Sequence, residues 1–83
     1  MKNVYEFGLK ALCPVDGTLD EYEFSIEAPH TIEAEKIAAF IAASAERKVF
    51  QEDLTMDCIN ELGATRAIST GWHSGIKVRS EAP

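Results

Sequence analysis

The stretch VYEFGLKALCPVDGTLDEYEFSIEA, residues 4–28, decides the fold. In its first part Tyr5, Phe7, Leu9 and Ala11 share one face while Glu6 and Lys10 share the other, the period of two that marks a half-buried strand over 4–12. Residues 14–19 interrupt this pattern with Pro14 and the Asp16-Gly17 pair, which is turn chemistry. Alternation resumes over 21–28, with Tyr22, Phe24, Ile26 and Ala28 inward and Glu21, Glu23, Ser25 and Glu27 outward. Two such runs around a short turn-rich segment predict an antiparallel hairpin.

Pro29 ends the second strand because it cannot donate to a ladder. Beyond it, Thr31 is a suitable N-cap for a helix over 32–46, with Ile37, Phe40, Ile41 and Ala45 as its apolar stripe. Glu33 and Glu35 suit the positive end of that helix, Arg47 and Lys48 the negative end. A second helix is expected over 51–62, where Phe50, Leu54, Cys58 and Leu62 recur every four residues and Gly63 supplies the C-terminal left-handed turn. Strands are expected over 65–72 and 76–80, joined at His73-Ser74-Gly75. No repeat or linker interrupts 1–83, which reads as a single domain. The expected class is α+β with the order ββααββ: a four-stranded antiparallel sheet carrying both helices on one face.

An 83-residue chain has a thin core, which favours oligomerisation. Hydrophobic residues at 46% and charged residues at 27% describe a globular protein rather than a disordered one. The formal charge of −6 repels nucleic acid and anionic membranes, and the basic residues are scattered. No apolar run approaches the ~20 residues of a membrane span, and the first residues lack a signal-peptide core, so a cytoplasmic location is expected. Two cysteines are too few for a disulfide framework and are expected as free thiols.

Cys13 closes the first strand and Asp20 opens the second, so hairpin closure draws them together. A thiolate beside a carboxylic acid suits attack on an electrophilic carbon with proton delivery to its neighbour; a small packing residue next to turn chemistry is the plainer alternative. Glu52, in the first turn of the second helix, is placed to accept two hydrogen bonds from a guanine-like N–H edge, or simply to complement the helix dipole. Cys58 belongs to the core. Trp72 is expected in the core or at a subunit contact. His30 reads as a loop residue and His73 as a turn residue, so no metal-ligand set is expected.

These motifs resemble a known family. Cys13-Pro14, followed by Gly17 and Asp20 and then an alternating strand, is similar to the 7-cyano-7-deazaguanine reductases of the tunnelling-fold (T-fold) superfamily. Residues 32–37 resemble the entry to that family's first helix, and Phe50-Gln51-Glu52-Asp53 its Phe-His-Glu segment. The resemblance implies that Cys13 attacks the nitrile of a deazapurine to give a thioimide, with Asp20 as proton donor. Glu52 and Glu33 would bind the substrate, a purine- or pterin-like small molecule. It also implies a homo-oligomer with sites between subunits, Glu52 acting with a neighbour's Cys13, and NADPH as reductant. The chain departs from the family's cofactor motif, since Glu35 and Ala38 stand where it has lysines and Lys36 alone remains; Gln51 replaces its His. A related T-fold amidinotransferase resolves the same thioimide with an amine and needs no nicotinamide. A non-catalytic purine-binding or structural T-fold module is the other alternative.

Overall fold

The computed structural model describes all of residues 1–83. Strands β1 (Asn3–Leu12) and β2 (Leu19–Ala28) precede helices α1 (Ala34–Ser44) and α2 (Gln51–Leu62), and β3 (Arg66–His73) and β4 (Ile76–Ala82) follow. The four strands form one antiparallel sheet in the order β1-β2-β3-β4. This is the expected α+β arrangement.

Register follows from the alternation. Leu9 faces Tyr22 and Ala11 faces Asp20 across β1–β2, so the buried positions of both strands fall on the same side. On that side α1 packs against β1, and α2 against β3 and β4. Phe24, Ile26, Leu54, Cys58, Leu62 and Ala67 form the centre of the core between sheet and helices. Phe7 and Phe24 stack, with ring centroids 5.6 Å apart. The β3–β4 turn places Ser74 and Gly75 at φ 52° and 79°. Positive φ at both central residues is what a two-residue type I′ loop requires, since its twist matches that of the flanking strands.

The first helix is shorter than its periodicity predicts. Glu33, not Thr31, occupies the N-cap position, and it makes no side-chain cap bond. At the other end the helix stops at Ser44, so Ala45 is exposed instead of completing the apolar stripe. Ser44 takes the inward place, its hydroxyl donating to the Phe40 carbonyl at 2.8 Å and so satisfying a buried polar group locally. Phe50 is the N-cap of α2 and half exposed, outside the four-residue stripe assigned to it. Trp72 is 63% exposed and contributes nothing to the core of this chain, because strand parity turns it to the sheet face opposite the helices. Gly63 does close α2 in the left-handed region, at φ 71°.

The segment between the helices is tied to the end of β1. Leu12 donates to the Arg47 carbonyl at 2.8 Å and accepts from the Val49 amide at 3.1 Å. Arg47 also pairs with Asp57 of α2 at 2.8 Å. These contacts hold the start of α2 beside residue 13. No helix is long and apolar enough to cross a membrane.

Candidate functional site

Where β1 ends, the chain makes a closed loop. The Cys13 amide donates to the Thr18 carbonyl and the Gly17 amide to the Cys13 carbonyl, both at 2.8 Å. Gly17 sits at φ 73°, a conformation that glycine adopts without steric cost. Asp16 braces the loop by accepting from the Thr18 amide at 2.9 Å. That bond, with the nearby Thr18 and Cys13 side chains adding to it, holds the Asp16 carboxyl below its ordinary range. The loop therefore presents residue 13 in a fixed position.

Cys13, Asp20 and Glu52 line one cavity of about 210 Å³, together with Pro14, Val15, Tyr22, Phe50, Gln51 and His73 among others. Four elements supply the polar groups: the loop after β1, the start of β2, the first turn of α2 and the end of β3. Pro14, Val15, Val49, Phe50 and Val78 make much of the wall apolar. Two wider depressions, of about 280 and 480 Å³, lie along β1–β2 and over β2–β3 and contain neither cysteine nor histidine.

Cys13 is 7% and Asp20 8% exposed, so both are withdrawn from bulk solvent yet border the cavity. The Tyr22 hydroxyl donates to Asp20 Oδ2 at 3.4 Å. Burial, reinforced by the charge of Asp20, pushes the Tyr22 phenol up to about 12, so it remains a donor at any neutral pH. Glu52 is exposed at the start of α2, where the helix dipole favours its charge. Cys13 and Glu52 meet at one cavity within a single chain, whereas the family resemblance had paired Glu52 with a neighbour's sulfur. Glu33 is not brought to them: it is exposed at the head of α1 and is not part of this cavity.

His73 is the participant that the sequence reading placed in a turn. It is the last residue of β3, and its Nδ1 lies 3.4 Å from both carboxylate oxygens of Asp20. Cys13 Sγ, an Asp20 oxygen and a His73 ring nitrogen all fall within 4.8 Å of one another. Tyr22 pairs with Gly71 across β2–β3, so two further residues of antiparallel register carry His73 to Asp20. Nothing local to residues 71–75 signals this; only the pairing of β2 with β3 does.

Gln51 plays a structural part. Its amide nitrogen donates to the Val78 carbonyl at 3.1 Å, to Ser69 Oγ at 3.1 Å and to the Ser69 carbonyl at 3.3 Å. It thereby fixes the start of α2, and Glu52 with it, to β3 and β4.

Comparison with protein-family models finds no match, and comparison with curated proteins finds none either. Among solved structures, the chain is similar to the archaeosine synthase QueF-Like in its apo form, with a TM-score of 0.89 and 17% sequence identity over 98% of this chain and 90% of that one. The ββααββ module described above thus shares its fold with that archaeosine synthase and is T-fold-like in architecture.

Proposed function

We propose that this protein binds a purine-like heterocycle in the Cys13 cavity and that Cys13 adds covalently to a nitrile borne by a 7-deazapurine. The observation that carries the reading is the meeting of a sulfur nucleophile, a buried carboxyl group and a second carboxylate at one largely apolar cavity. At about 210 Å³ the space lies below the ~300–1,000 Å³ of drug-sized pockets and suits one small ring system.

In the proposed reaction the Cys13 thiol gives its proton to the Asp20 carboxylate, and its sulfur forms a bond to the nitrile carbon. One carbon–nitrogen π bond breaks, and its electron pair goes to nitrogen, which takes that proton from Asp20. The product is a thioimide. Glu52 holds the ring by accepting from its N–H edge, a charge-assisted pairing that is both strong and directional. The likeness in fold to an archaeosine synthase agrees with a deazapurine ligand.

NADPH does not fit the first turns of α1. Lys36 is the sole basic residue of the helix, Glu33 and Glu35 flank it, and Glu61 shares its groove. A phosphorylated dinucleotide brings several negative charges to such a surface, where carboxylates repel it. Resolution of the thioimide by an amine, which expels the Cys13 thiol and leaves an amidine, uses no such cofactor and is the reading this surface favours. The working unit is proposed to be a homo-oligomer joined through the open sheet edges at β1 and β4.

Intact-mass measurement after incubation with the deazapurine nitrile tests the covalent step. Wild type should gain the full mass of the nitrile, and Cys13→Ala should gain nothing. Glu52→Gln should bind the heterocycle about 10-fold or more weakly, the scale of one charge-assisted hydrogen bond. A wild-type protein that binds the ring but stays unmodified would reduce the reading to a binding module.

A further inference from the structure

We propose that Cys13, Asp20 and His73 form a three-ligand site for a thiophilic divalent transition metal, with zinc as the best fit and its fourth position facing the cavity. Thiolate, imidazole and carboxylate are the three protein donors that zinc takes, and three protein ligands leave one position open. Here they come from separate elements, the loop after β1, the start of β2 and the end of β3, and converge within 4.8 Å.

Spacing favours a shared cation over a simple hydrogen-bonded pair. His73 Nδ1 stands 3.4 Å from each Asp20 oxygen, longer than the ~2.7–3.2 Å of a good N–H···O bond. With zinc–ligand bonds of about 2.0–2.1 Å, the edge of a tetrahedron is about 3.3 Å, which matches that separation. The sulfur, within 4.8 Å of the other two atoms, has to approach by at most about 1.2 Å to meet a zinc–sulfur distance near 2.3 Å. The remaining surroundings are those of a held site. The Tyr22 hydroxyl stands 3.4 Å from Asp20 Oδ2, on the side where an outer partner of a ligating carboxylate belongs. The two loop bonds at Cys13 fix the backbone of the sulfur ligand.

Binding replaces the Cys13 S–H bond with a sulfur–metal bond and releases the proton to solvent. Metal and nitrile therefore compete for one sulfur atom. The inference goes beyond the covalent reading and does not depend on it.

The test uses reduced protein stripped with a chelator and titrated with Co2+, then with Zn2+. One equivalent of Co2+ should produce a thiolate-to-cobalt charge-transfer band with visible bands of tetrahedral intensity, and Zn2+ should erase them. Cys13→Ser should lose the charge-transfer band. His73→Ala, which alters an exposed residue, should weaken Co2+ binding at least 10-fold with the circular dichroism spectrum unchanged. Cys58→Ala should titrate as wild type. No band in wild type, or a band that survives in His73→Ala at undiminished affinity, overturns the site. The nitrile mass measurement is made with chelator present, so it reports separately: an adduct without a cobalt band removes the metal proposal alone, and a cobalt band without an adduct removes the covalent reading alone. When both reactions occur, one equivalent of Zn2+ should slow adduct formation at least 10-fold.

Discussion

The side chain of Gln51 runs inward from the first turn of α2 and completes a ring of hydrogen bonds. Its amide nitrogen donates to Ser69 Oγ at 3.1 Å, and the two hydroxyls of Ser69 and Thr55 lie 2.7 Å apart. Thr55 Oγ1 returns the chain to the Gln51 carbonyl at 2.7 Å. Taken in that order, each hydroxyl donates once and accepts once, so the buried polar groups are satisfied together. Replacing Gln51 with leucine keeps the volume but removes the donor, leaving the Val78 carbonyl and Ser69 Oγ short of a partner. Gln51→Leu should therefore be destabilised by about 2–3 kcal/mol in urea unfolding, the cost of stranding buried polar groups. A loss below about 0.5 kcal/mol would mean that water or a rearranged Ser69 replaces the amide. The family resemblance drew attention to this position only as a lost histidine; its structural part was hidden because its partners lie 18 and 27 residues away.

At the scale of elements, the pairing of β2 with β3 brings the site together. Tyr22 lies opposite Gly71, and a Cβ added at Gly71 would fall 2.5 Å from Tyr22 Cδ1 and 2.8 Å from Cε1. The ring covers the glycine, and its hydroxyl reaches Asp20 beyond. Gly71→Ala must displace a rigid ring, so it should cost about 1–3 kcal/mol in stability, as overpacking does. The displaced hydroxyl should also slow nitrile addition, measured as the adduct rate at saturating nitrile. Tyr22→Phe supplies the control, because it keeps the ring and removes only the hydroxyl. If Gly71→Ala slows addition and Tyr22→Phe does not, the ring's position matters rather than its hydroxyl. Stability and rate both unchanged would mean that the strands part to admit the methyl group. The strands themselves were legible in the sequence, because a period of two survives wherever one face is buried. The hairpin from β1 to β2 also made the approach of Cys13 and Asp20 legible. His73 was not legible, because its neighbour Asp20 lies 53 residues away in the chain and is brought to it only by the register between strands. The C-terminal end of α1 departs from the periodicity for a related reason: the alanine-rich run 38–45 favours helix throughout, and the Leu12 contacts to Arg47 and Val49 draw the chain away toward β1.

Across the whole molecule the two thiols occupy opposite environments. Cys13 borders the cavity, whereas Cys58 is wholly buried between α2 and the sheet. Burial, with a smaller contribution from the charge of Glu61, pushes the Cys58 thiol from 9.0 up to about 12. The sign of the consequence follows from proton counts. Between pH 9 and 12 the unfolded chain releases this proton while the folded chain keeps it, so fewer protons are bound in the unfolded state and stability falls as pH rises. The Cys58 contribution is thus complete below about pH 9 and is lost as pH rises toward 12. Other groups of the chain contribute to the alkaline decline in melting temperature, so its absolute size does not isolate the thiol. Its slope against pH does so when wild type is compared with Cys58→Ala. The variant starts lower, because removing a buried sulfur leaves a small void, yet its melting temperature should fall less steeply from pH 9 to 11. Parallel slopes would mean that the core admits water or opens locally around α2, and that Cys58 then titrates in the folded protein much as it does in the unfolded one.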